Sequence, residues 1–253
     1  MVAACSCNSD STTSIVKDST GLVPDSTAVM DTSIVFSKAD TVLFGFYQGL
    51  LPCKDCEGIR QTLLLKDSGL FKLEEFTMDK DIFPRKQEGR WSRVGDSIHL
   101  QANRKLIATY FIKKDTLQLA YRDGSAIADS TVKSYWIARH PDAAQNTAWK
   151  KKQLEGIDFY AIGNEPFWNI EIGKEKNIVF RLADLPKPVI LPVVQPVINK
   201  DSVYYSIKTK DATMQISIYN QFCNDGMSDN LYEHRVLVRY NGVEFKGCGV
   251  VFK

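Results

Sequence analysis

From about Val42 the apolar residues fall at alternate positions in short runs, and each run ends in a cluster of turn-forming residues. A period of two is what a strand with one buried face requires. The pattern predicts strands over residues 42–48, 60–66, 70–77, 89–94, 97–101, 106–113, 116–122 and 133–137. Tight-turn sequences separate them, among them Lys66-Asp67-Ser68-Gly69, Val94-Gly95-Asp96-Ser97 and Asp123-Gly124. Eight short strands this closely spaced predict an antiparallel meander closed into a small barrel. A second series follows at 159–162, 167–172, 178–182, 203–208, 213–219, 234–240 and 243–252. Pro186, Pro188, Pro192 and Pro196 interrupt it, and proline lacks the donor that a central strand needs. That stretch is predicted as an edge strand or an extended loop.

Two segments break the strand texture. Residues 6–33 are rich in Ser, Thr and Asp, with Asp-Ser-Thr recurring at Asp10, Asp18 and Asp25. Such a stretch buries too little apolar surface to offset its ordering entropy, so a disordered tether is expected. His140 to Lys152 is polar and ends in Lys150, Lys151 and Lys152, which predicts a linker or a short helix with a solvated lysine face. The expected organisation is a tether over 1–36, a β-barrel over 37–142 and a second β domain over 150–253. The fold class is all-β, with two small antiparallel barrel-like domains.

Composition narrows the function. Lys and Arg total 32 against 30 Asp and Glu, giving a net charge of +2, so there is no electrostatic case for nucleic acid. No apolar run reaches the roughly 20 residues a membrane helix needs. Six cysteines, an even number, are compatible with an oxidising compartment. The expected pairs are Cys53–Cys56 and Cys223–Cys248. The second closes a loop worth on the order of 3 kcal/mol in the chain-entropy description. Val2-Ala3-Ala4-Cys5 has the small-residue pattern of a lipobox. Cys5 is therefore the expected lipidation site, with Cys7 the alternative, and a signal segment is expected upstream. A monomer held at a membrane by a lipid anchor follows.

The densest chemistry lies in Gly45–Leu65, where Pro52 and Gly58 frame Cys53 and Cys56 on a loop between two predicted strands. A dithiol enzyme would want this CxxC at a helix N-terminus in a βαβ unit, with neighbours that favour thiolate. Here the texture is all-β, and Asp55 and Glu57 disfavour the anion. A structural zinc site wants four ligands, and no second CxxC exists. Copper(I) accepts two soft sulfurs, with Met78 or another methionine assisting. A plain disulfide staple, or a reporter of the redox state around it, remains open beside these readings.

The same residues carry a resemblance. Gly45, Tyr47, Gly49, Leu51, Pro52, Cys53, Asp55, Cys56, Gly58, Ile59, Thr62, Leu63 and Leu65 resemble the N-terminal domain of the NlpE envelope lipoproteins, over roughly residues 40–140. The resemblance implies a lipocalin-like barrel and no enzymatic activity. It also implies an association with copper tolerance, envelope-stress sensing and adhesion. With it come a cell-envelope location, outer-membrane facing the periplasm or the surface, and an envelope protein as partner. The Cys53–Cys56 pair is the expected responsive centre, with Cu(I) the ion it would hold. The alternatives are a barrel carrying a small hydrophobic ligand, a thiol–disulfide enzyme, and a purely structural disulfide.

The second half is similar to a little-characterised domain of bacterial envelope lipoproteins. The resemblance rests on Gly163-Asn164-Glu165-Pro166-Phe167-Trp168, on Cys223 to Asp229 with Tyr232, and on Gly247-Cys248-Gly249. NlpE proteins of the best-known type carry an OB-fold there instead, so a role depending on that domain does not transfer. Glu165, Trp168, Asp225 and Asp229 are the candidate lining of a small pocket. The Asn224–Asp229 loop has the oxygen groups of a calcium loop, but it lacks the distal glutamate and fits a self-capping Asx turn better.

Overall fold

Side-chain alternation sets the architecture. The computed structural model describes residues 38–127, 133–173 and 177–252. Cys5, Cys7 and the predicted tether lie outside them. The first sheet comprises β1 (Gly45–Leu51), β2 (Ile59–Leu65), β3 (Leu70–Thr77), β4 (Arg85–Val94), β5 (Ser97–Ala102), β6 (Lys105–Lys113), β7 (Thr116–Arg122), β8 (Ser125–Ala126) and β9 (Trp136–His140). Strands β1 to β7 form an antiparallel meander, and β9 inserts between β7 and β1 to close the ring. Eight strands thus form a closed barrel, with the two-residue β8 attached to β7.

The last strand of the barrel differs from its prediction. Residues Lys133–Tyr135 form a 3-10 turn, and pairing starts at Trp136 and runs to His140. Arg139 explains the extension. It lies opposite Tyr47, stacks on the Tyr47 ring at 4.9 Å, and donates to the Tyr47 hydroxyl at 2.6 Å and to the Phe44 carbonyl at 2.8 Å. Those contacts reward pairing beyond the apolar run.

The barrel interior is filled. Tyr47, Leu63, Leu65, Phe71, Leu73, Trp91, Ile98, Leu100, Tyr110, Leu117, Leu119 and Ile137 are all buried and pack as one cluster. Each large side chain removed from water stabilises by about 1.5–3 kcal/mol. Filling of this kind argues against a barrel that carries a ligand in its centre. One polar chain crosses the packing. Tyr110 donates to Gln61 Oε1 at 2.7 Å, Gln61 donates to Glu75 at 2.8 Å, and Arg122 donates to the second Glu75 oxygen at 2.6 Å. Every link satisfies a group that would otherwise be buried unpaired. Tyr110→Phe is expected to destabilise by about 1 kcal/mol, read from the urea midpoint, because it removes a buried donor and leaves Gln61 short of a partner.

The second sheet comprises β10 (Phe159–Asn164), β11 (Phe167–Ile172), β12 (Asn177–Leu182), β13 (Val189–Pro192), β14 (Val197–Asn199), β15 (Ser202–Lys208), β16 (Thr213–Tyr219), β19 (His234–Tyr240) and β20 (Val243–Val251). A two-stranded ribbon, β17 (Cys223–Asn224) with β18 (Leu231–Tyr232), interrupts the order. The strands run β13-β12-β11-β10-β20-β19-β16-β15-β14. The sheet ends at β13 and β14, which no ladder joins. Pro192 and Pro196 at that junction cannot donate, so the barrel-like curl stops half-closed. Its concave face holds a second core that includes Trp168, Ile170, Phe180, Met214, Ile216, Val236, Val238 and Phe245.

Between the sheets, helix α2 (Thr147–Leu154) follows β9; a four-residue helix α1 (Lys38–Thr41) precedes β1. Asn146 caps α2 by accepting from the Ala148 N–H at 2.9 Å. Trp149 is its buried residue, packing edge-on to Tyr160 at 4.9 Å and beside Tyr232.

Candidate functional site

Loops 52–58, 78–84, 103–104 and 123–124 meet at one rim of the barrel, since the meander returns to that end after every second strand. Cys53 and Cys56 lie on the first of these, half-buried and joined by a disulfide with an S–S distance of 2.01 Å. The loop is held at its second end. Gly58 sits at φ +147° beneath the Leu50 side chain, where a Cβ would come within 2.7 Å of Leu50 Cδ1. Its carbonyl accepts from the Met78 N–H at 3.0 Å, and the Glu57 N–H donates to Asp79 at 3.2 Å. The disulfide therefore stands on a fixed base and faces water. At the end of β1 and on the 78–84 loop, Leu50, Met78, Ile82 and Phe83 are exposed. Among the described residues no cluster of three or more His, Cys, Asp or Glu is arranged to hold a metal ion.

The second disulfide, Cys223–Cys248, fastens the β17–β18 ribbon to β20, the strand beside β10 in the middle of the second sheet. The ribbon's loop is organised by Asp225. Its carboxylate accepts from the Met227 and Ser228 N–H groups, the Ser228 hydroxyl and the Tyr232 hydroxyl, the last at 2.6 Å. Burial pushes the Asp225 carboxyl up, but these donors outweigh it and hold the group below its ordinary value. The same proximity, with burial foremost, raises the Tyr232 hydroxyl. With its lone pairs committed, Asp225 acts as a turn organiser. Glu165 lies on the turn between β10 and β11, and Asp229 is exposed with its carbonyl near His140. Trp168 is buried in the sheet. The shallow cavity of about 430 Å³ over Trp168 is lined by Asn164, Asn169 and Arg181 among others, and Glu165, Asp225 and Asp229 are not part of it.

The ribbon also carries the seam with the barrel, which residue patterns did not single out. Phe222 packs edge-on to Phe46 at 5.0 Å, and Leu231 joins Phe46 and Leu64 in a small buried cluster. The Phe222 N–H donates to Glu74 at 3.0 Å, and the Leu231 N–H donates to the Pro141 carbonyl at 3.0 Å. Asn220 accepts from Lys72 and Lys86 and donates to Glu88. Glu233 pairs with Lys66 at 2.5 Å and with Lys72. A readable signal was the run Leu63-Leu64-Leu65, which breaks the alternation. Leu63 and Leu65 fill the barrel, while Leu64 faces the second sheet.

The family match lies in the first half. Residues 47–130 match the family model described as the NlpE N-terminal domain. Lipoprotein NlpE of Escherichia coli (strain K12) is 27% identical over 160 residues, which cover 58% of this chain. The chain spans 65% of that relative's length, just under two thirds. A solved putative lipoprotein from Shewanella oneidensis shares 27% identity over 38% of this chain and 87% of its own, with a TM-score of 0.31. The Cpx pathway activator NlpE from Escherichia coli shares 16% identity over 82% of this chain and 91% of its own, with a TM-score of 0.30. Residues 47–130, which make up most of the barrel, are similar to the NlpE N-terminal domain.

Proposed function

We propose that this chain is an envelope lipoprotein that reports envelope stress, with the Cys53–Cys56 loop as the responsive element and a protein partner as the receiver. The supporting observation is the disulfide itself, half-exposed on a loop with a fixed base at the barrel rim, where Leu50, Ile82 and Phe83 are also exposed. Exposed apolar side chains around a chemically changeable loop suit partner contact better than core packing. A relative described as a Cpx pathway activator gives the reading its direction, and the lipoprotein name of another relative gives its membrane anchoring.

The step balances without a cofactor. A dithiol from the envelope gives up two electrons and two protons, becomes a disulfide, and leaves Cys53 and Cys56 as thiols. The loop then loses its ring constraint while Gly58 and Glu57 stay anchored. The reduced pair would also offer two soft sulfurs to Cu(I), with Met78 on the adjoining loop.

The test is a Cys53→Ser/Cys56→Ser variant expressed from its own promoter beside a stress-response reporter. The ring is short, so removing it is expected to cost about 2 kcal/mol in the chain-entropy description. The reporter should shift in unstressed cells and lose its further response to a reducing or copper challenge. An unchanged reporter, with only the lower unfolding midpoint, would reduce the pair to a staple. Native mass spectrometry of the reduced protein with Cu(I) separates the metal route, which predicts one ion per chain, lost in the variant.

A further inference from the structure

A second feature lies between the 78–84 loop of the barrel rim and the second sheet. The outer face of β16, β19 and β20 forms the floor of a groove of about 980 Å³, whose far wall is Phe83, Pro84 and Lys86 of the barrel. Strand register fixes what the floor presents. Tyr219 lies opposite Arg235, and Leu237 lies opposite Lys246. Side chains alternate across a sheet, so Arg235 and Lys246 are diagonal neighbours on one face. Lys200, on the turn between β14 and β15, adds a third cation to the lining.

These charges are poorly neutralised. Among the described residues Arg235 and Lys200 make no ion pair. Lys246 reaches Glu244 only at 3.9 Å, while the other Glu244 oxygen is held by Arg239 at 3.1 Å. Glu88 is engaged by the Asn220 amide at 2.9 Å, and Lys86 donates to the Asn220 carbonyl. Asp201, beside Lys200, is the remaining carboxylate in the lining. Cations held in place with weak or no partners leave a local positive potential that a bound anion relieves. An arginine adds a planar fork that matches two oxygens of one phosphoryl group. Tyr219, Leu237 and Phe83 supply an apolar surface beside it.

We propose that this groove binds a phosphate-bearing amphipathic ligand, its phosphoryl group held by Arg235, Lys246 and Lys200 and its apolar part against Tyr219 and Leu237. The group comes either from a soluble phosphorylated compound or from a phospholipid headgroup. The site is independent of the Cys53–Cys56 chemistry and stands or falls without it.

The experiment uses the full chain, with inorganic pyrophosphate as the soluble probe and phosphatidylcholine vesicles, with and without phosphatidylglycerol, as the lipid probe. Amide shifts report pyrophosphate binding, and co-sedimentation reports vesicle binding. Saturable shifts centred on Tyr219, Arg235, Leu237 and Lys246 are expected, or co-sedimentation that requires phosphatidylglycerol. Arg235→Gln/Lys200→Gln should weaken either by about 10-fold. Both side chains are exposed, so the variant should keep the parent unfolding midpoint. Pyrophosphate shifts alone assign a soluble ligand, and vesicle binding alone assigns a headgroup. Binding that the variant leaves unchanged, shifts that map elsewhere, or no binding by either probe would overturn the proposal.

Discussion

Gly247→Ala is expected to destabilise the second sheet by about 3 kcal/mol or more, because the added methyl meets backbone and leaves no room for adjustment. A Cβ at Gly247 would lie 2.0 Å from the Ile162 carbonyl oxygen and 2.6 Å from Trp168 Cζ2. On the neighbouring strand β10, a Cβ at Gly163 would lie 2.0 Å from Trp168 Nε1. The two glycines form a slot in which Trp168 lies flat across β10 and β20 and donates to the Lys246 carbonyl at 3.2 Å. Trp168 in turn packs on Phe180, which contacts Tyr240 and Phe245. Displacing the indole therefore disturbs the centre of the core and not its edge. Gly226→Ala provides the contrast. Its φ is +74° but nothing lies within 4 Å of the added carbon, so only the backbone penalty of about 1 kcal/mol applies. Urea unfolding followed by tryptophan fluorescence checks both, and equal midpoints for the two variants would remove the slot argument.

That slot accounts for motifs that sequence reading identified without explaining. Gly163 and Trp168 of the first motif and Gly247 of the last meet around one ring, so their joint presence is a packing requirement. The fold itself was legible because alternation is strict where one face meets water. On β3, Phe71 and Leu73 point inward while Lys72 and Glu74 point out. The same alternation carries Glu75 inward, and only the positions of Gln61 and Arg122 on other strands show why a carboxylate is tolerated there. The seam was the least legible part. Lys66, Lys72 and Glu74 look like ordinary surface charges until the partners 148 or more residues away are placed against them. Sequence distance hides such pairs because no local periodicity links them. The two disulfides differ in the same way. A CxxC announces a local ring, whereas Cys223 and Cys248 needed the ribbon to fold back onto β20.

Glu233→Gln is expected to cost about 2–4 kcal/mol at neutral pH, since it leaves two ammonium groups facing an uncharged amide in a largely buried seam. Burial alone would push the Glu233 carboxyl up, but Lys72 and Lys66 outweigh it and hold it at about 2. A carboxyl depressed from 4.5 contributes stability that is complete above pH 4.5 and is lost as pH falls toward 2. The next residue, His234, is depressed from 6.5 to about 4, chiefly by burial, with Glu233 opposing and Lys72 assisting the shift. Its ring packs edge-on to Phe159 at 6.4 Å, and its Nδ1 has no hydrogen-bond partner among the described residues. The unfolded chain takes up that proton first, so this contribution is complete above pH 6.5 and is lost as pH falls toward 4, by up to about 3 kcal/mol. Glu74 acts in the opposite sense, because burial raises its carboxyl and protonation relieves it. The two windows separate the causes. Loss of stability between pH 6.5 and 5 belongs to His234 and should persist in Glu233→Gln, whereas the further loss below pH 4.5 should be smaller in that variant. Urea midpoints taken across this range test both halves of the argument. A Glu233→Gln protein as stable as its parent at pH 7 would show that the lysines find other partners and that the seam does not depend on this carboxylate.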